Sequence, residues 1–258
     1  MHNRQRRGFG FLHEGFRGET RVSVSMDTRD ILDILDLTLL DHDASEADLR
    51  RICDRANEHG PAAVCVFSEH VELVRGMLDD GISVAAVAGG FPVGGDDATS
   101  IRESIEDAVR SGADEIDCVL EPRDSDDFPG EQDLSLLEAM RQASSGRTLK
   151  VIIETPLLGE HAIRAVTRMV LATGADFVKS CTGMRGGCSD EDARLLSFEV
   201  KRHSVTMGED RGVKLSGGIR VRGDVERLIE IVDSNEADIS GPSRLRIGAS
   251  SLLDDILR

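Results

Sequence analysis

Tryptophan and tyrosine are absent from this 258-residue chain and phenylalanine occurs eight times, so its core must be built from Val, Ile, Leu and Ala. Lysine is scarce as well: Lys150, Lys179, Lys201 and Lys214 are the four among 31 basic residues, and arginine supplies the rest. No apolar run approaches the roughly 20 residues of a membrane-spanning helix, and the N-terminus lacks the apolar stretch of a signal peptide. No H-x-H or H-E-x-x-H pattern occurs among the histidines, so no metal site is expected. The five cysteines (Cys53, Cys65, Cys118, Cys181, Cys188) are odd in number and form no C-x-x-C pair. Three lie inside apolar runs, where Cys packs as a small hydrophobe, and a reduced, cytoplasmic setting is expected.

The formal net charge is −17, which sets the chain against nucleic acid and anionic membrane surfaces. The first 25 residues depart from this balance: five Arg and two acids give +3, leaving −20 for the remainder. They show no periodicity and read as a disordered tail, or as sequence upstream of the true start at Met26. An acidic excess of this size repels itself, and screening relieves the repulsion. The melting temperature should therefore rise between low and molar salt, and a flat or falling trend in calorimetry would contradict this.

From Asp30 onward short apolar runs alternate with amphipathic stretches. The strand-like runs are 35–40, 62–67, 83–88, 115–120, 149–155, 177–182, 212–216 and 244–249. Helical patterns lie between them, among them 100–111, 134–143, 160–173, 190–203 and 223–233. The earliest starts at Ser45, where Ser45 and Asp48 form a capping box and Gly60 closes the helix. Strict β/α alternation with apolar strands implies a parallel sheet, and eight such units in about 230 residues imply a closed (β/α)₈ barrel. No G-x-G-x-x-G or G-x-x-x-x-G-K-[ST] motif appears, which weighs against an open nucleotide-binding sheet.

In such a barrel, functional groups gather at the C-terminal ends of the strands. The sixth run, FVKSCTG, and the seventh, GVKLSGG, each carry a lysine, Lys179 and Lys214, on strands less than about 5 Å apart. One such lysine would be read as snorkelling to solvent. Two on neighbouring strands of a lysine-poor chain point to chemistry. Paired buried ammonium groups repel, so one sheds its proton more readily, and a neutral amine is what attack on an aldehyde requires. The fourth run, GADEIDCVL, places Asp117 inward if Glu115 and Val119 share its face, and a carboxylate there suits proton transfer. Gly217-Gly218 follows the seventh run. Gly248-Ala249-Ser250-Ser251 follows the eighth and opens the last helix, where backbone N–H groups commonly seat a phosphate. Lys201, within FEVKRH, is expected to face solvent.

Taken together, LDLTLL (35–40), AAVCVF (62–67), GADEIDCVL (112–120), LKVIIET (149–155), GADFVKSCTG (174–183), GVKLSGGIR (212–220) and IGASSLL (247–253) resemble the deoxyribose-phosphate aldolase family over residues 30–258. The resemblance implies a class I aldolase without metal or organic cofactor, acting on a phosphorylated sugar and often dimeric. It implies Lys179 as the Schiff-base lysine, Lys214 as the cation that favours its neutral form, and Asp117 as the proton relay through a water. Asp36, Thr38 and Lys150 would complete the polar pocket. Thr182, Gly183, Gly217, Gly218, Ser250 and Ser251 would line the substrate and its phosphate. The chain departs from the family pattern at three places. Gly90 stands where a polar residue usually precedes Phe91-Pro92. Met184 stands where some members carry a phosphate-contacting lysine, so Arg185 is expected to take over that contact. The C-terminal tyrosine of some members is missing. The rival readings are another lysine-dependent aldolase of the same barrel group, acting on a different aldehyde, and a catalytically silent sugar-phosphate-binding protein.

Overall fold

Residues 26–123, 128–235 and 238–258 are described by the computed structural model; the segment read as a tail, residues 1–25, lies outside the described residues. Eight strands close into a parallel barrel in sequential order: β1 Leu35–Leu39, β2 Ala63–Phe67, β3 Ser83–Ala88, β4 Glu115–Val119, β5 Thr148–Ile152, β6 Phe177–Lys179, β7 Gly212–Ser216 and β8 Leu245–Ala249. Closure comes from β1 pairing in parallel with β8, Asp36 opposite Gly248. The helices are α1 Thr28–Ile34, α2 Glu46–His59, α3 Val71–Arg75, α4 Ala98–Arg110, α5 Glu131–Ala143, α6 Glu160–Ala172, α7 Asp190–Met207, α8 Arg222–Ser234 and α9 Leu252–Ile256.

Local chemistry sets the helix ends as read from the sequence. Ser45 and Asp48 exchange side-chain-to-backbone hydrogen bonds at the start of α2, and Gly60 closes it at φ +65. Ser189 and Asp192 repeat the device at the start of α7.

Residues of one parity along each strand, such as Leu35, Leu37, Val64, Val66, Val151, Val213 and Ile247, join the helices in a single buried apolar cluster. Each fully buried Val, Leu or Ile contributes about 1.5–3 kcal/mol relative to exposure. The outward faces thus hold the barrel together, and the inward faces are left to other tasks. On β2 and β3 the inward face is apolar, with Ala63, Cys65, Phe67, Ala85 and Val87 in a separate cluster. On the other strands it is charged.

Two strands are shorter than their apolar runs. β5 ends at Ile152 because Glu154 takes a left-handed conformation, φ +53, and Thr155–Leu157 turn away as one 3₁₀ turn. β6 ends at Lys179 because the next residues give their backbone groups to side chains: Cys181 O accepts from Ser216 Oγ at 2.6 Å and Thr182 N donates to Glu154 Oε1 at 3.2 Å. The lysine of β6 is therefore its last residue, next to the barrel mouth.

Candidate active site

Three of the four lysines lie inside the barrel. Lys150, Lys179 and Lys214 come from β5, β6 and β7, and Lys179 stands directly opposite Lys214 in the strand register. They meet three buried carboxylates, Asp36 from β1 and Glu115 and Asp117 from β4, together with the guanidinium of Arg246 from β8. Lys150 Nζ is 2.5 Å from Glu115 Oε2 and 3.0 Å from both Asp36 Oδ2 and Asp117 Oδ1. Lys214 Nζ is 2.5 Å from Asp36 Oδ2 and 2.7 Å from Asp117 Oδ2. Lys179 Nζ is 2.7 Å from that same Asp117 Oδ2, its one ion pair. Arg246 donates to Asp36 Oδ1 and, at 2.6 Å, to Glu115 Oε1. Thr38 lies one step along β1 on the face of Asp36, half-buried, its Oγ1 donating to Asp36 O at 2.9 Å.

The smallest residue makes room for these long side chains. A Cβ on Gly248 would lie 3.1 Å from Lys214 Cε, so β8 carries glycine where the lysine stem passes.

Burial by itself raises the carboxyl of Asp36, but the ammonium groups of Lys150 and Lys214 and the guanidinium of Arg246 outweigh it and hold the group well below the usual carboxylate range. Asp117 follows the same pattern, burial being outweighed by Lys150, Lys179 and Lys214. Burial pushes Lys214 down, while Asp117 and Asp36 push it up further, so it titrates above an ordinary lysine and stays cationic. Lys150 is raised in the same way by Asp117, Asp36 and Glu115. The depressed carboxylates contribute stability above their unfolded values near pH 4, lost as pH falls. The raised lysines contribute below about pH 10.4, lost as pH rises through their folded values. The whole neutral range lies between these limits.

Buried ion pairs add little net stability, because desolvation offsets the attraction. A network of this size inside a barrel therefore points to chemistry. With every group ionised it holds four cations against three carboxylates, and releasing one proton from a lysine brings it to neutrality.

The loops after β6, β7 and β8 surround the mouth beside Lys179. Gly183, Gly218, Ser250 and Ser251 are exposed there and Gly217 is half-buried. Gly217 has φ +89, and a Cβ on it would lie 2.6 Å from Cys181 Sγ, so only glycine lets the β6 and β7 loops meet this closely. The N–H of Thr182 is taken by Glu154, and its Oγ1 accepts from Met184 N at 3.1 Å. Arg185, expected at the phosphate, instead pairs with Glu121 at 2.6 Å and with Glu154 at 3.0 Å. Lys201 is half-buried on α7, and its Nζ donates to Asn235 O at 2.6 Å.

Two residues of this region were not picked out from the sequence. Arg246 had a legible signal, a charged residue alternating with Leu245 and Ile247 in an apolar strand. Glu154 had none, since its position depends on where β5 stops.

These features define a lysine-centred aldolase barrel, and comparison with known proteins agrees. A family profile described as DeoC/LacD family aldolase matches residues 31–258. The chain is 36% identical over 221 residues to the deoxyribose-phosphate aldolase of Finegoldia magna, covering 84% of this chain and 94% of that one. It is 36% identical over 199 residues to deoxyribose-phosphate aldolase 2 of Staphylococcus aureus, covering 76% and 87%. The solved aldolase QR15 superposes with a TM-score of 0.71 at 28% identity, covering 88% of this chain and 95% of that one. The tetrameric deoxyribose phosphate aldolase of Aeropyrum pernix shares the fold, with a TM-score of 0.69 at 24% identity, covering 90% and 91%. The chain belongs to the DeoC/LacD aldolase family. It is an aldolase, a lyase, and among the described residues no helix is long and apolar enough to cross a membrane.

Proposed function

We propose that the chain catalyses the reversible cleavage of 2-deoxy-D-ribose 5-phosphate to D-glyceraldehyde 3-phosphate and acetaldehyde through a Schiff base on Lys179. The observation that carries this is the shared Asp117 Oδ2, which lies 2.7 Å from Lys179 Nζ and from Lys214 Nζ alike. In a cluster with one excess cation, the lysine that loses least by shedding its proton is the one with a single carboxylate partner. Lys179 is that lysine. It is also the one at the mouth, 3% exposed where Lys150 and Lys214 are fully buried.

The neutral amine adds to the C1 aldehyde of the open-chain sugar, and the carbinolamine loses water to give a protonated imine. The imine draws electrons from the C2–C3 bond as the C3 hydroxyl loses its proton, and glyceraldehyde 3-phosphate departs. The remaining enamine is protonated at C2, and hydrolysis of the imine frees acetaldehyde and Lys179. Asp117, held ionised by its three lysines, accepts and returns these protons through a water. Lys214 stays charged, and Asp36, Lys150 and Thr38 hold the polar wall. The phosphate is seated by the loops carrying Gly183, Gly217, Gly218, Ser250 and Ser251, whose backbone N–H groups suit an anion. No step uses a metal or an organic cofactor.

A reducing compartment such as the cytoplasm suits five free thiols, and the family resemblance supports a homodimer. Two assays test the activity itself: release of glyceraldehyde 3-phosphate from the sugar, and borohydride reduction with acetaldehyde. The second should leave one two-carbon adduct, on the peptide that contains Lys179. An adduct mainly on Lys150 or Lys201, or none, sinks the assignment.

A further inference from the structure

The carboxylate of Glu154 is fully buried at the barrel mouth and takes no part in the mechanism above. Its backbone is left-handed, φ +53 and ψ +59, a conformation that a non-glycine residue keeps only where its surroundings impose it. The side chain shows what imposes it. Oε1 accepts the N–H of Thr182 at 3.2 Å, three residues beyond Lys179, and Oε2 accepts Nε of Arg185 at 3.1 Å. Arg185 then reaches three other places. It donates to Glu121 Oε1 at 2.6 Å, to Glu121 Oε2 at 2.9 Å and to Pro92 O at 3.1 Å. Glu121 in turn accepts Gly94 N–H at 3.2 Å. A chain of charged hydrogen bonds therefore joins the loops after β3, β4, β5 and β6, half the circumference of the mouth.

From this arrangement we infer that Glu154 and Arg185 are positioning residues for the aldolase reaction: they fix the segment Ser180–Gly183, and through it the placement of Lys179 relative to the phosphate seat. The inference rests on the function proposed above.

The case turns on β6. It is three residues long and ends at Lys179, so the nucleophile is held by strand pairing on one side only. Beyond it, Ser180 and Cys181 are fastened to β7 through Ser216. Only the bond from Thr182 to Glu154 ties this segment by a side chain to the other neighbour, β5. Gly183, the next residue, packs its backbone against Gly217. A shift of the segment would move the lysine and the phosphate seat together. Arg185 has no spare charge for a phosphate, since two carboxylates already neutralise it, and its guanidinium titrates above an ordinary arginine for that reason, Glu121 first.

The test compares wild type, Glu154→Gln, Arg185→Ala and the double variant on 2-deoxyribose 5-phosphate and on unphosphorylated 2-deoxyribose. Melting temperature and the rate of borohydride trapping with acetaldehyde are measured alongside. Glutamine keeps the shape and can still accept the Thr182 N–H, but it turns a donor or a neutral oxygen toward Arg185. Misplacement of a reacting group by about 1 Å costs up to about a hundredfold, so kcat and the trapping rate should fall about ten- to a hundredfold on both sugars alike. KM for the phosphorylated sugar should stay within about twofold, and the double variant should be no worse than the poorer single one. A rise in KM confined to the phosphorylated sugar would make Arg185 a phosphate ligand and overturn the inference. So would a lower melting temperature with unchanged kcat per folded molecule, which would mean a purely structural role. If Glu154→Gln does not fold, Glu121→Gln, at the half-buried rim of the same chain of bonds, asks the same question. Wild-type protein that cleaves neither sugar and forms no adduct would instead refute the function beneath it.

Discussion

Replacing Lys179 with methionine should abolish aldol cleavage at every pH while leaving the barrel folded. Loss of a covalent nucleophile costs on the order of 10⁴- to 10⁶-fold in other enzymes, and no change of pH restores a missing amine. Stability should change little, because Lys179 contributes one ion pair, and Asp117 keeps Lys150 and Lys214 as partners. Methionine also has nearly the length of the lysine stem and carries no charge to bury. Activity and melting temperature, measured together from about pH 6 to 10, check both halves. Residual activity above a thousandth of wild type, or an acetaldehyde adduct that persists elsewhere, would place the nucleophile on another lysine.

Lys214→Met should fail differently. With Lys214 present, the cluster has four cations for three carboxylates, and Lys179 shares its only carboxylate oxygen with a permanently charged neighbour. Removing Lys214 leaves three cations for three carboxylates, and Asp117 Oδ2 then faces Lys179 alone. Nothing in the cluster now favours release of the proton from the nucleophile. The neutral amine becomes available only as pH approaches the ordinary lysine range near 10.4, about tenfold more for each pH unit. The rate at pH 7 should therefore drop by roughly two to three orders of magnitude, then climb with pH at a slope near one. The sign separates the roles of the two lysines, since alkali restores a neutral nucleophile and cannot restore a lost cation. Stability should fall as well, because Asp36 loses a partner at 2.5 Å inside the barrel, at a cost of about 3–5 kcal/mol for an uncompensated buried charge. If the Lys214 variant is dead throughout and the Lys179 variant recovers in alkali, the roles are reversed.

The architecture could be read along the chain because both periods are local. Residues 83–88 and 212–216 were delimited to the residue, and the Ser45–Asp48 capping box with its closing Gly60 stands as expected. Parity likewise placed Glu115, Asp117 and Val119 on one face, since alternation along a strand needs no tertiary information. Strand ends were less legible. The apolar run through Thr155 reads as strand, yet β5 stops at Ile152, and β6 stops at Lys179 rather than Thr182. Side chains from neighbouring elements end both strands, and no local window contains them.

The residues of the site divide along the same line. Lys179 and Lys214 stand out by scarcity and by matching positions in successive strands, and Asp117 by parity. Eight alternating runs were enough to imply a barrel and to bring β6 and β7 side by side. Closure of the sheet then decided which charges meet. Asp36 reaches Lys150 and Lys214 only because β1 returns to β8, and Arg246 joins Asp36 and Glu115 across the interior for the same reason. The direction of Arg185 was also decided in three dimensions. Proximity to Gly183 along the chain suggests a phosphate contact, whereas the fold sets two carboxylates from the β4 and β5 loops within 3.0 Å of its guanidinium. A charged side chain takes the strongest partner within its reach, and which partners lie within reach is fixed by how the strands close, not by their spacing in sequence.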